Sequence, residues 1–215
     1  MHRDYWDRFY AGSVDRAVTD EPSAFARWVH EQHAPVVQAA LPRRLVDVGT
    51  GTGRDGLWFS AHGYDVLGLD YSPQAVTLAE SRAAAAGLTA SFGLLDLYDD
   101  EWVAARAAQL AAPSTSVYAR FLVHAVEDAG RANLLALAAT VCAGSGRLFL
   151  EFRTGKDAEA KHVFGEHFRR FLRPSVVVDE AEELGGTVLH REEGHGLAVY
   201  GDEDPHVARL VLAWR

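Results

Sequence analysis

Residues 44–75 read RLVDVGTGTGRDGLWFSAHGYDVLGLDYSPQA, and their order decides the fold. Arg44–Gly49 is an apolar run ending in glycine, the pattern of a strand buried on both faces. Gly49, Gly51 and Gly53 alternate after it, where a sharp turn and a close ligand approach leave no room for Cβ atoms. Asp55–His62 is then expected to be helical, and Gly63 ends it as a glycine past a helix terminus does. Asp65–Asp70 is a second strand, and Ser72-Pro73 caps and opens the next helix. Strand, glycine turn, helix, strand and terminal acid form one βαβ unit able to cradle an adenosine-containing ligand.

The alternation continues outward. AVTLAESRAAAAG runs as a helix to Gly87, and Ala90–Leu94 is a third strand. Glu101–Ala112 is helical until Pro113-Ser114 breaks it; Thr115–Ala119 is a fourth strand, Asp128–Cys142 a helix and Arg147–Phe152 a fifth strand. This predicts an α/β Rossmann-like fold, its sheet mostly parallel with helices on both faces. Past residue 153 the pattern changes to a polar segment, TGKDAEAKHVFGEHFRRFLRP, and a short helix, SVVVDEAEELGG. The strand-like segments Thr187–Glu193 and Val207–Trp214 are joined by too few residues for a helical crossover, so they should lie antiparallel. Upstream, EPSAFARWVHEQH is expected to start a helix at Glu21-Pro22 and to end by Leu41-Pro42. The expected organisation is a single domain over 1–215: an N-terminal helical lid (1–40), a cofactor-binding core (41–153), and a substrate-side insertion with the terminal strands (154–215).

The 215 residues suffice for a substantial core, and a hydrophobic content of 48% excludes a disordered chain. The net charge of -9 argues against a protein that grips nucleic acid by neutralising phosphates. The lone Cys142 has no disulfide partner and lies in the apolar run LLALAATVCAG, which reads as core. The N-terminus MHRDYWDRFYAG has no apolar signal region, and no 18-residue apolar span occurs. A cytoplasmic protein with no membrane partner, monomeric or homodimeric, is the expectation.

The turn also satisfies G-x-G-x-x-G through Gly51, Gly53 and Gly56, a weak signal that a dinucleotide site would share. Three acids tilt the reading. Asp47 precedes the turn to give D-x-G-x-G-x-G, Asp70 ends strand two where an acid can accept ribose hydroxyls, and Asp96 follows strand three within reach of an adenine amine. A nicotinamide-dependent oxidoreductase stays open as an alternative, although no Tyr-x-x-x-Lys pair accompanies it, as does a non-catalytic cofactor-binding protein.

DVGTGTGRDGLWFSAHGYDVLGLDYSPQAV resembles the signature of class I S-adenosylmethionine-dependent methyltransferases, and the antiparallel terminal strands resemble the end of that seven-stranded fold. YWDRFYAG and EPSAFARWV resemble the lead-in of the tellurite-resistance and thiopurine methyltransferases, in which an aromatic N-terminal helix folds over the cofactor. The resemblance implies S-adenosyl-L-methionine as donor and S-adenosyl-L-homocysteine as product. It implies that Asp47 orients the glycine turn and the cofactor's amino group, that Asp70 binds ribose, and that Leu95 and Asp96 flank adenine. Gly49, Thr50, Gly51, Gly53, Tyr71 and Arg120 complete the expected cofactor site, with Trp6 and Tyr10 from the lead-in.

The acceptor should lie at the carboxyl ends of strands four and five, which read ARFLVHAVED and LEFRTGKD. His124 is the expected general base, since imidazole suits proton removal near neutral pH. Arg153, His167, Arg169 and Arg170 are the expected substrate-binding residues, because clustered guanidinium forks clamp carboxylate or phosphate. No histidine and acid spacing supports a metal site. Strand four ends without D/N-P-P-Y/F, the pattern of methyltransferases acting on base amines, so the expected acceptor is a small molecule, methylated on oxygen and anionic in character.

Overall fold

The computed structural model describes residues 21–33, 43–157 and 170–215. The chain forms two compact units, Met1–Asp96 and Leu97–Arg215.

In the first unit, α1 (Ala24–His33) precedes β1 (Arg43–Val48), α2 (Arg54–Ala61), β2 (Tyr64–Asp70), α3 (Pro73–Ala85) and β3 (Ser91–Leu94). β1 and β2 pair in parallel with Val46 opposite Leu67, and β2 pairs in parallel with β3 with Leu69 opposite Gly93. Leu45, Val46, Val48 and Leu69 are buried, as strands covered on both faces require. Leu57 of α2 packs with Val76, Ala79 and Ala83 of α3 and with Phe92 of β3. Ser72 caps α3 with Pro73 in its first turn, and Gly63 adopts φ 82° after α2, both as expected. Helix α1 begins at Ala24 rather than at Glu21-Pro22, because the Ser23 hydroxyl accepts from the Ala26 N–H and sets the cap there.

The second unit holds α4 (Asp100–Leu110), β4 (Thr115–Arg120), α5 (Asp128–Val141), β5 (Leu148–Arg153), a 3-10 turn (Gly155–Asp157), α6 (Pro174–Glu183), β6 (Thr187–Gly194) and β7 (Val207–Ala213). Helix α4 starts a residue before the expected Glu101, because Asp99 accepts from the Trp102 N–H at 2.9 Å. β4 and β5 are parallel, whereas β7 runs antiparallel to both β5 and β6. The expected antiparallel terminal pair is therefore present, with an irregularity between Val188 and His190. β5 is buried along its whole length, and β6 alternates between exposed and half-buried residues, as an edge strand does. The strand order is β3-β2-β1-β4-β5-β7-β6 in a seven-stranded sheet. Cys142 is a buried core residue, and burial pushes its thiol up to about 12.

Gly146 admits β5 beside β4. A Cβ there would collide with the Thr115 carbonyl oxygen and come within 2.7 Å of the Cys142 Cα. Backbone atoms cannot swing aside as a side chain can. Gly146→Ala is therefore expected to destabilise the protein by about 1–3 kcal/mol, the usual range for overpacking, measured as a lower midpoint in urea unfolding.

Candidate functional site

The turn after β1 is held from beneath by β2. The N–H groups of Gly49 and Thr50 both donate to the Leu69 carbonyl, at 2.7 and 3.1 Å. Gly49, Gly51 and Gly53 have φ of 74°, 55° and 76°, a region that side chains rarely tolerate, so the alternation of glycines is a backbone requirement. At Gly53 a Cβ would also press on Ala79 and on the Phe92 ring at 3.0 Å. Arg82 of α3 clamps the turn from the side, donating to the Thr52 carbonyl at 2.7 Å and to its hydroxyl at 3.1 Å.

Asp70 joins the parts. One carboxylate oxygen accepts from the Gly51 N–H at 2.9 Å and the other from the Ser72 N–H at 3.0 Å, while its backbone carbonyl accepts from the Leu95 N–H at 2.9 Å. The residue is 6% exposed. It thereby ties the glycine turn, the start of α3 and the segment after β3 to the end of one strand. Tyr71 and Asp96 beside it are half-buried and Leu95 is buried.

Asp47 lies under the turn, 3% exposed, and accepts from the Thr50 hydroxyl at 2.7 Å. Burial pushes its carboxyl up to about 7; the neighbouring acids Asp55 and Asp70 add to the shift, while Thr50 and Arg54 oppose it. Asp47, Gly49, Thr50, Gly51, Gly53, Asp70, Tyr71, Leu95 and Asp96 thus all belong to the first unit, gathered about the ends of β1, β2 and β3. The amides of Gly49, Gly51 and Gly53 are bonded to the Leu69 carbonyl, the Asp70 carboxylate and the Thr50 carbonyl, and the two buried acids suit a ligand that brings hydroxyl donors and a cationic group.

The carboxyl ends of β4 and β5 carry a different chemistry. Glu151 is 1% exposed and is held by Arg120 at 2.8 Å and by Arg209 at 2.9 Å. Arg153 is 4% exposed and is held by Asp157 at 2.7 Å and Glu203 at 2.6 Å. Phe121, just past β4, has φ 55°, a strained value for a residue with a side chain. Its N–H donates to the Glu151 carbonyl at 2.7 Å, and its ring lies 4.1 Å from the Arg120 guanidinium and 5.3 Å from that of Arg153. His124 stands with its ring edge to Phe121, 5.4 Å between centroids, and is 3% exposed. Its Nδ1 accepts from the Arg153 N–H at 3.3 Å, so the neutral ring carries its proton on Nε2. Arg170 donates its backbone N–H to the His124 carbonyl at 2.7 Å and pairs its side chain with Asp128.

Arg120, His124, Arg153 and Arg170 are therefore gathered in the second unit, each arginine facing a carboxylate. Trp6, Tyr10, His167 and Arg169 lie outside the described residues. The sequence reading missed Arg82, Phe121, Asp157, Glu203 and Arg209. Arg82, Glu203 and Arg209 act through contacts 30, 50 and 58 positions along the chain, which no spacing marks.

Residues 45–146 match the methyltransferase-domain family. A SAM-dependent methyltransferase from Anabaena variabilis superposes with a TM-score of 0.75 at 18% identity, over 99% of this chain and 94% of its own. A TehB-like SAM-dependent methyltransferase from Corynebacterium glutamicum superposes with a TM-score of 0.60 at 19% identity, over 100% and 98%. The ribosomal RNA small subunit methyltransferase C of Alcanivorax borkumensis is 33% identical over 79 residues, which span 37% of this chain and only 23% of that relative.

The raised Asp47 carboxyl has a consequence for stability. A folded value of about 7 against 3.8 in the open chain means that folding favours the protonated form, so this group's contribution to stability falls as pH rises from about 4 to 7. Asp47→Asn keeps the Thr50 contact and removes the buried charge. The ligand-free variant is expected to melt several degrees above the parent at pH 8, with the difference vanishing towards pH 4, as read by calorimetry across that range.

Proposed function

We propose that this chain, a class I methyltransferase by its matched domain and its seven-stranded sheet, transfers a methyl group from S-adenosylmethionine to a small molecule. When bound, S-adenosylmethionine supplies a methyl carbon activated by an adjacent sulfonium charge. The residues present fit it. The left-handed glycines open the turn to a ligand, Asp70 offers a pinned carboxylate for ribose hydroxyls, and Asp47 offers a buried acid for the amino group. Leu95 and Asp96 provide an apolar and an acidic flank for adenine. The observation that carries the reading is Asp70, bonded to the Gly51 and Ser72 amides at the end of β2. Residues 41–153 form the donor-binding core in this reading, and 154–215 contribute to the acceptor side.

The acceptor oxygen is anionic. Support comes from the arginines of the polar segment and from His124. With Nδ1 accepting from Arg153, the ring orients an oxygen by donating from Nε2. It is not set to remove a proton, so an oxygen that is already ionised suits it better than a neutral alcohol. Arg170 would exchange the exposed Asp128 for the acceptor's negative group. The net charge of -9 favours a small acceptor over nucleic acid. S-adenosylhomocysteine is the product.

Titration calorimetry with S-adenosylhomocysteine tests the donor site. The parent protein is expected to bind it and to ignore NADH. Asp70→Ala removes a charge-assisted contact of about 1.5–3 kcal/mol and should weaken binding roughly 10- to 100-fold. Undiminished affinity would place the ligand elsewhere. Against a panel of carboxylate, phenol and amine acceptors, S-adenosylhomocysteine release is expected from the anionic oxygens, with a pH profile that follows the acceptor's own ionisation. Turnover confined to amines would overturn oxygen as the acceptor atom.

A further inference from the structure

Asp55 lies in the first turn of α2, directly after the glycine turn, yet its carboxylate does not cap its own helix. Gly53 at the helix start receives no side-chain cap. One Asp55 oxygen accepts from the Ser23 backbone N–H at 2.8 Å and the other from the Ser23 hydroxyl at 2.7 Å. The Ser23 hydroxyl in turn accepts from the Ala26 N–H at 3.0 Å, so one serine caps α1 and grips α2 together. Both residues are 6% exposed. The Arg54 side chain closes the acid's other flank at 3.1 Å. Behind this contact Phe25, Ala26 and Val29 bury one face of α1.

The grip reaches the donor turn through short links. Asp55 precedes Gly56, whose missing Cβ leaves room for the Asp47 carboxylate, 3.1 Å from where that atom would stand. Asp47 is bonded to Thr50, and the Gly53 carbonyl accepts from the Leu57 N–H at 2.7 Å. A shift of the first α2 turn therefore moves both the glycine backbone and the acid beneath it.

We propose that Asp55 is a positioning residue for the donor site, which holds the glycine turn in its binding form by anchoring α2 to the capped start of α1 through Ser23. The segment PSAF thereby belongs to the donor-binding machinery. This rests on the donor reading above. The bond pattern favours a positioning role over a generic helix contact. Two donors of one residue meet both oxygens of one buried carboxylate, so a small displacement breaks both bonds together.

The test measures S-adenosylhomocysteine affinity in Asp55→Asn, Ser23→Ala, Ser23→Thr and the Asp55→Asn/Ser23→Ala pair, with melting temperatures alongside. Asp55→Asn and Ser23→Ala should each weaken binding about tenfold at temperatures well below their melting points. The pair should be no worse than the poorer single variant, and Ser23→Thr, which keeps the hydroxyl cap, should restore affinity. The pH midpoint of binding should move to lower pH in Asp55→Asn, because Asp55 is among the charges that raise Asp47; Asp70 and Arg54 are its other charged neighbours. If affinity stays within twofold of the parent while the melting temperature falls, Asp55 is a fold contact only and the proposal fails. If Asp55→Asn does not fold, the contrast between Ser23→Ala and Ser23→Thr decides in the same terms. Failure of the parent itself to bind S-adenosylhomocysteine would overturn the donor reading instead.

Discussion

One carboxylate organises the glycine turn and the strand ends of the first unit. Asp70 binds the amide of Gly51 in the turn and that of Ser72 at the next helix, while its own carbonyl receives the Leu95 amide. Three segments separated in sequence converge on the end of β2 through one residue. The arrangement needs parallel strands, because only then do the three strand ends face the same way. It needs glycine at positions 49, 51 and 53, because the turn must reverse through left-handed backbone to bring its amides to the acid. The βαβ topology and the glycine pattern are thus two consequences of placing a pinned acid against a left-handed turn.

The second unit solves a different problem with the same means. Its strand ends are strongly polar, yet β5 is wholly buried, so each charge must find a partner. Glu151 is shared by Arg120 and Arg209, and Arg153 by Asp157 and Glu203. Such pairs add little net stability beside an apolar core, but breaking one strands a buried charge, so they fix geometry more than they add binding energy. What they fix is the loop after β4, where Phe121 keeps a left-handed backbone between the two guanidinium groups and where His124 follows. A strained residue persists only where its surroundings over-determine it.

Most of the fold was legible because its signals are local. Apolar runs marked buried strands, Ser72-Pro73 and Gly63 marked helix boundaries, and the short link between the last two strands implied their antiparallel pairing. The glycine turn and its bond to Asp70 were legible because they sit at fixed distances within one βαβ unit. The ends of β4 and β5 were less so. Arg153 and Arg170 look in sequence like an anion clamp and Arg120 like a cofactor contact, but each meets a carboxylate supplied from elsewhere, and Glu203 is fifty residues from Arg153. The tautomer of His124 depends on the Arg153 backbone, which no pattern encodes. Ser23 and Asp55 were visible as residues but not as a pair, since 32 positions separate them.

The acids under the donor turn set stability against binding. Burial, with Asp55 and Asp70 adding to it, raises the cost of ionising Asp47, whose carboxyl is pushed up to about 7. An apolar residue at position 47 would make a better core. In the proposed donor site, a cationic group arriving beside Asp47 would draw the proton off it. Donor binding and proton release are then two sides of one equilibrium, and affinity must decline as pH falls below neutrality. Asp55 acts on that equilibrium twice, by its charge and by its hold on Ser23. The helix that packs against the turn is therefore coupled electrostatically, as well as sterically, to the acid beneath it.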